Sequence, residues 1–87
     1  MLLLMEHGKT RRSPVHTPEY RHLLGRLREA RRTAGLTQVE VAKALKRPQS
    51  YVTKCELGER RIDPIDLQRF AKLYHKPLSY FLPRIGR

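Results

Sequence analysis

The residues with the clearest chemistry lie between residue 47 and residue 54. Helical spacing places four polar side chains on one face of that stretch, opposite the apolar Val52 and Cys55. These four are Gln49, Ser50, Thr53 and Lys54. Amide, hydroxyl and ammonium groups of this kind can hydrogen-bond the edges of base pairs in the major groove of DNA. The alternative is an ordinary solvated polar face, and we favour base recognition over it.

Gln38 is a further candidate, because it lies at the exposed start of the preceding predicted helix. Its amide can reach a DNA phosphate. The N-terminus of that helix, which carries partial positive charge, points the same way. Contacts of this type fix the position of a protein on the duplex, whereas contacts to base edges carry the sequence preference.

No catalytic or metal site is predicted. The single cysteine, Cys55, and the four histidines share no spacing that would build a metal site. The sequence also lacks a nucleophile–base pair and a glycine-rich phosphate loop. We therefore predict no enzyme activity, no catalytic residue, no metal, no cofactor and no small-molecule ligand. Cys55 is expected to be a small core residue.

The composition indicates a polyanionic partner. Nineteen Lys and Arg residues and eight Asp and Glu residues give a formal charge of +11 over 87 residues, enough chain for one domain. Such an excess favours binding to nucleic acid or to another acidic surface. The longest apolar run, residues 1–5, is too short for a membrane span or the core of a signal peptide. We predict a cytoplasmic protein that binds double-stranded DNA and does not contact a membrane.

Capping residues and apolar spacing predict five short helices and no strand, which is an all-α fold. The helices are expected to run from Pro18 to about Ala34, from Thr37 to about Leu45, from Pro48 to Gly58, from Asp63 to about Tyr74, and from Pro77 to Pro83. The first should bury a stripe that includes Tyr20 and Ala34, and the last should bury Leu78, Phe81 and Leu82. Residues 1–18 are expected to form a flexible basic arm, residues 19–82 the DNA-binding domain, and residues 83–87 a short tail.

The second and third helices are separated by a turn of three or four residues, the arrangement of a helix-turn-helix. Ala42 lies where the two helices cross, and a larger side chain there would push them apart. Val52 is a compact residue that can fill the space facing Val41 and Leu45. The basic charge and the small size of the domain agree with a DNA-binding version of this motif.

The sequence resembles the phage Cro and lambda-repressor-type family, also called XRE regulators. The resemblance rests on Leu36-Thr37-Gln38, Glu40-Val41-Ala42, Leu45, Ser50, Val52, Glu56, Gly58 and Arg60, and it covers roughly residues 19 to 82. It implies a five-helix, lambda-repressor-like domain. Such proteins usually bind DNA as homodimers and act as transcriptional repressors or activators.

The resemblance also implies roles for individual residues. Gln38 matches a position that bonds the DNA backbone and braces the recognition helix. Gln49, Ser50 and Lys54 match positions that contact bases. Tyr51 and Thr53 match positions near phosphates or neighbouring bases, and Arg60 and Arg61 fall in a loop that approaches the backbone. Arg31 and Glu56 match a largely buried ion pair between the first and third helices.

Two positions depart from the family pattern. Lys46 stands where the turn often has glycine, so a positive φ there would cost on the order of 1 kcal/mol. Pro48 stands where a Ser or Thr N-cap is common. We expect Pro48 to occupy the first helical position instead, with Arg47 close to the DNA groove.

Besides nonspecific nucleic-acid binding, which would show equal affinity for unrelated DNA and a steep salt slope, two functions remain open from the sequence. The first is a sequence-specific homodimeric regulator, acting as a repressor on a near-palindromic operator. The fifth helix is its expected dimer surface, because it is richer in apolar residues than so short a helix can bury alone. The alternative is the antitoxin of a toxin–antitoxin pair, which would bind a toxin as a protein partner as well as its own promoter. Residues 1–18 would then be the toxin-binding extension.

Overall fold

The computed structural model describes residues 17–84, and this part of the chain contains five α-helices. They are α1 (Pro18–Thr33), α2 (Gln38–Leu45), α3 (Gln49–Leu57), α4 (Pro64–Leu73) and α5 (Leu78–Phe81). No β-strand occurs between residues 17 and 84, so the all-α prediction is confirmed. The arm predicted over residues 1–18 and the tail over residues 83–87 lie largely outside the described residues.

The helices begin at the capping residues that the sequence indicates. The Thr17 hydroxyl accepts a hydrogen bond from the Tyr20 N–H at 3.1 Å, and proline follows it at the start of α1. Thr37 and Glu40 form a reciprocal capping box at α2. At α4, the Asp63 carboxylate accepts a hydrogen bond from the Asp66 N–H at 2.8 Å.

The start of α3 differs from the expectation. Pro48 is the N-cap of that helix, with φ −68° and ψ 154°, and the helix begins one residue later at Gln49. The fixed φ of proline suits either position, but the extended ψ excludes Pro48 from the helix itself. The prediction that Pro48 is the first helical residue is therefore wrong by one position. Pro77 takes the same N-cap place before α5.

Four helices are followed by a residue with a left-handed backbone, and after α3 this residue is Gly58, with φ 81°. Gly35 follows α1 with φ 75°, and the Leu36 N–H donates to the Arg31 carbonyl at 3.1 Å, which closes the helix end in the predicted way. Lys46 follows α2 with φ 57°, so this lysine does adopt the conformation that glycine would favour. His75, after α4, has φ 58° as well.

All five helices contribute to one core. It contains Leu23, Leu27, Ala30, Val41, Ala42, Tyr51, Val52, Cys55, Leu67, Phe70, Ala71, Tyr74 and Phe81. The stripe of α1 is buried except at its ends, where Tyr20 is half-buried and Ala34, the C-cap, is exposed. Burial of these side chains supplies the main driving force for folding.

The last helix buries less than expected. Phe81 is fully buried, whereas Leu78 is 40% exposed and Leu82 is 47% exposed. A helix of four residues makes about one turn, so it can present only one side to the core. The prediction that Leu78 and Leu82 lie inside is therefore wrong. No helix in residues 17–84 is long and apolar enough to cross a membrane.

Candidate nucleic-acid interface

Besides Thr53, the outer face of α3 carries three polar side chains: Gln49, Ser50 and Lys54. All three are exposed, and within residues 17–84 their side chains make no hydrogen bond or ion pair. The inner face holds Val52 and Cys55, which are fully buried against the core. The helix is therefore fixed along one side and free to meet a ligand along the other. Burial raises the pKa of the Cys55 thiol, so this cysteine is held as the neutral thiol.

A buried glutamate at the end of α3 fixes that helix to α1. Glu56 is 2% exposed, and its Oε2 accepts a hydrogen bond from Arg31 Nε at 2.6 Å. A second bond runs from Arg31 Nη2 to Glu56 Oε1 at 3.2 Å, so the pair is bidentate. The hydrogen bond to Glu56 raises the pKa of the Arg31 guanidinium further above its ordinary value. The ion pair that the sequence resemblance implies is present.

Gln38, on α2, links that helix to this pair and to α3. Its Nε2 donates to Glu56 Oε1 at 2.9 Å, and its Oε1 accepts from the Thr53 hydroxyl at 2.7 Å. Both ends of the amide are thus engaged within the protein. Gln38 braces α3 from α2, and Thr53 contributes to the same brace. Their contact with DNA remains a prediction.

Arg28 also belongs to this brace, which the sequence did not predict. Its Nη1 donates to the Glu56 carbonyl at 2.9 Å. Arg31 extends the network in the other direction, because its Nη1 donates to the Leu36 carbonyl at 3.0 Å. The spacing of Arg28 and Arg31, three residues apart on α1, is the signal that could have indicated a shared partner.

Tyr51 lies in the core rather than at the surface. Its side chain is 6% exposed, its ring stacks on Phe70, and its hydroxyl donates to the carboxylate of Asp66 on α4. Burial, together with that hydrogen bond, raises the pKa of Tyr51 well above its ordinary value. Residues of α4 cover the ring, and the position of Tyr51 near phosphates or neighbouring bases remains a prediction.

Arg47, in the turn before α3, is held by the same carboxylate. Its Nη2 lies 3.2 Å from Asp66 Oδ1 and 3.3 Å from Oδ2, and its guanidinium carbon lies 4.3 Å from the centre of the Tyr51 ring. Its side chain is still 32% exposed. Arg47 is therefore both anchored and accessible, which the sequence did not show.

The loop between α3 and α4 adds two exposed cations. The Arg60 guanidinium lies 5.0 Å from the centre of the Tyr51 ring, and that of Arg61 lies 5.5 Å from the centre of the Tyr20 ring. Tyr20 also binds this loop directly, since its hydroxyl accepts from the Ile62 N–H at 3.1 Å. Aromatic rings thus support both arginines, which keep their charge at the surface.

Comparison with known families decides the kind of motif. The sequence profile of the helix-turn-helix domain family matches residues 22–77, which is more than half of the chain. The chain belongs to this helix-turn-helix domain family. No curated protein matches the chain in sequence. The matched residues include α2, the turn and α3 of this helix-turn-helix protein, together with α4 and most of α1.

Family membership agrees with the resemblance to XRE and Cro-type regulators and with a lambda-repressor-like fold. It also supports a DNA-binding regulator as the general function of this helix-turn-helix protein. In the family arrangement, the second helix of the motif enters the major groove. Here that helix is α3, and its free side carries Gln49, Ser50 and Lys54.

Proposed function

We propose that the protein is a sequence-specific transcriptional regulator, acting as a repressor, that binds a near-palindromic operator as a homodimer. The observation that carries the proposal is the two-sided build of α3. Gln38 braces the helix through Glu56 and Thr53, and the outer face presents three unengaged polar side chains. A rigid helix with free amide, hydroxyl and ammonium groups suits direct contact with base edges.

The charges around α3 favour specific over general binding. The free face itself has a single cation, Lys54, whereas further cations follow from the turn before α3, at Arg47, and from the loop after it, at Arg60 and Arg61. Cations at the margin suit phosphates, which position the protein on the duplex. Polar groups in the centre suit bases, which supply sequence preference. Nonspecific binding would need only the cations.

Dimerisation would add a second copy of each contact. Leu78 and Leu82 remain exposed at α5 although the helix is anchored through Phe81. These two leucines are the apolar surface that we assign to a second copy of the chain. Two recognition helices about 34 Å apart would then enter successive major grooves of one operator. A regulator of this kind acts in the compartment that holds the DNA, which agrees with the predicted cytoplasmic location.

Selection of bound duplexes from a random pool tests the proposal. The full chain is incubated with the pool at roughly physiological salt, where nonspecific binding is weak. We expect an enriched inverted repeat whose half-sites lie about one helical turn, or a multiple of it, apart. Enrichment of an unpaired half-site would contradict the dimer. Equal recovery of unrelated sequences would contradict specific recognition.

A further inference from the structure

Asp66 is a buried carboxylate that lies at the junction of α4, the turn and α3. It is 8% exposed, and it belongs to the first turn of α4. Three side chains converge on its two oxygens: Tyr51 through its hydroxyl, Arg47 at 3.2 and 3.3 Å, and Arg69 at 3.5 Å. A buried carboxylate needs such partners, because an unpaired charge in the interior is costly.

The effect of Asp66 on Arg47 is to remove its freedom. A turn arginine normally samples many rotamers and loses that freedom when it binds a ligand. Here the guanidinium is bonded to Asp66 on one side and lies against the Tyr51 ring on another. The side chain is therefore ordered before any ligand arrives, while about a third of its surface stays accessible.

Arg60 uses the same ring from the other end of α3. Its guanidinium lies 5.0 Å from the Tyr51 ring centre, and among residues 17–84 it has no carboxylate within ion-pair distance. The Tyr51 ring thus supports two arginines, one that precedes α3 in the sequence and one that follows it. The cluster contains one carboxylate and three arginines, counting Arg69, so it remains positively charged and attracts anions.

We infer that Asp66 is a positioning residue for DNA binding: with Tyr51, it holds Arg47 beside Arg60 so that the two guanidiniums bind one backbone phosphate at the edge of the major groove. Asp66 itself does not touch the DNA. The inference rests on the proposed function, because it assigns a role within the same interface. Ordering the cation in advance leaves less entropy to be lost on binding.

Asp66→Asn tests the inference, because asparagine keeps the size and removes the charge that holds Arg47. The dissociation constant for a duplex selected from the random pool is measured over a series of salt concentrations, with the melting temperature measured in parallel. We expect binding to weaken about three- to tenfold at physiological salt, and the salt slope to become shallower by about one. A role in stability alone would lower the melting temperature and leave the salt slope of the folded protein unchanged.

Glu59→Gln is the matched control for charge. Glu59 is exposed in the loop beside Arg60, and its side chain makes no hydrogen bond or ion pair within residues 17–84. Removing an acidic charge near a polyanion should by itself leave binding unchanged or make it tighter. Weaker binding by Asp66→Asn alone would therefore separate positioning from net charge. Equal or tighter binding by both variants would overturn the inference.

A double-mutant cycle tests whether Asp66 acts through Arg47. In an Arg47→Ala background, we expect Asp66→Asn to cause no further loss of affinity. Additive losses would overturn the inference. If Asp66→Asn fails to fold, Tyr51→Phe decides, because it keeps the ring and removes the hydroxyl bonded to Asp66. Wild-type affinity and salt slope in a folded Tyr51→Phe protein would then overturn it.

The same measurements separate this inference from the proposed function. If the wild-type chain binds no duplex, both are overturned. If the wild-type chain binds a selected duplex and Asp66→Asn binds it with the same affinity and salt slope, only the positioning role is overturned.

Discussion

At the scale of the residue, the candidate interface contains side chains of two kinds. Some have exposed polar groups and no partner among residues 17–84, as Lys54 has on the outer face of α3. Others, such as Gln38, use their hydrogen-bonding groups to hold α3 in place. Substitutions of the first kind are expected to change DNA binding alone. Substitutions of the second kind are expected to change folding as well.

Lys54→Ala and Arg61→Ala should have different effects on DNA binding. Lys54 lies on the outer face of α3, the face that we propose contacts bases, so its loss should relax the base preference of the protein. Arg61 lies in the loop, so its loss should weaken binding to all sequences alike and flatten the salt slope by about one. Affinity for matched and mismatched duplexes over a salt series measures both effects. A uniform loss of affinity in both variants would show that Lys54 does not contact bases.

Glu56→Ala should unfold the protein and thereby abolish DNA binding. The substitution leaves Arg31 without the partner of its buried charge, and breaking a buried ion pair costs about 3–5 kcal/mol. It also removes the acceptor of the Gln38 amide. Circular dichroism during thermal unfolding measures the loss, with the exposed Glu59→Ala as control. A folded Glu56→Ala protein would show that the Arg31–Glu56 ion pair is not required for folding.

Tyr74→Phe should stabilise the protein. Tyr74 is 3% exposed, and its hydroxyl has no hydrogen-bond partner among the side chains and backbone of residues 17–84. A buried hydroxyl without a partner costs about 1–3 kcal/mol, so phenylalanine should raise the free energy of unfolding by roughly 1 kcal/mol. Chemical denaturation at neutral pH measures this difference. A loss of stability would mean that the hydroxyl has a partner.

The same tyrosine should make the wild-type protein sensitive to alkali. Burial raises the pKa of Tyr74 above its ordinary value of 10, so the unfolded chain loses this proton at lower pH than the folded chain. The contribution of Tyr74 to stability is fully present below about pH 10 and is lost as the pH rises further. Tyr74→Phe should flatten that fall, and burial also raises the pKa values of Tyr51 and Cys55, which should contribute to the part that remains.

At the scale of the element, the turn between α2 and α3 carries a backbone cost. Lys46 has φ 57°, a conformation that costs a residue with a Cβ about 1 kcal/mol relative to glycine. The turn keeps this geometry because the Arg47 N–H donates to the Ala42 carbonyl at 2.9 Å and closes the end of α2. The orientation of α3 relative to α2 therefore depends on one strained residue.

Lys46→Gly should relieve this cost. We expect the free energy of unfolding to rise by up to about 1 kcal/mol, because glycine adopts a positive φ without a steric penalty. Thermal and chemical denaturation measure the change. Lys46→Ala serves as the matched control, since it removes the same charge and retains the Cβ. Equal stability of the glycine and alanine variants would show that φ is not the source of the cost.

The sequence predicts local features of these elements better than their contacts. Helix starts can be predicted from the capping residues Thr17, Thr37 and Asp63, because capping depends on neighbours in the chain. The bond between Arg47 and Asp66 joins residues 19 positions apart, and it depends on how α4 packs across α3. For the same reason, periodicity placed Val52 and Cys55 inside but could not show that Tyr51 is covered too. The exposure of Leu78 and Leu82 follows from the length of α5, which the sequence overestimated.

In the molecule as a whole, the net positive charge opposes self-association, whereas the exposed apolar surface near α5 favours it. A formal charge of +11 drives two copies apart, and this repulsion is screened by salt or neutralised by DNA. The exposed leucines of the α5 region favour contact. Association of the free protein is therefore expected to strengthen as the salt concentration rises, and DNA is expected to strengthen it at the lower salt concentrations that permit DNA binding.

Leu82→Glu should weaken this association. The substitution places a charge in the surface assigned to the second copy, while Phe81, which anchors α5, is left intact. We expect a shift toward monomer and at least a tenfold loss of affinity for an inverted repeat, with half-site affinity retained. Sedimentation equilibrium and duplex binding measure the two effects. Ile65→Glu, at an exposed position of α4, is the control. Equal association of both variants would exclude this surface.

The brace behind α3 has a consequence for how such a protein can change its target. Gln49, Ser50 and Lys54 make no hydrogen bond or ion pair within the described part of the chain, and the groups that hold the helix lie on its other side. Evolution can therefore exchange these three side chains at little cost to the fold. Thr53 is the exception on that face, because its hydroxyl is tied to Gln38. The proposed preference for one DNA sequence and the ability to fold are thus inherited through separate sets of residues.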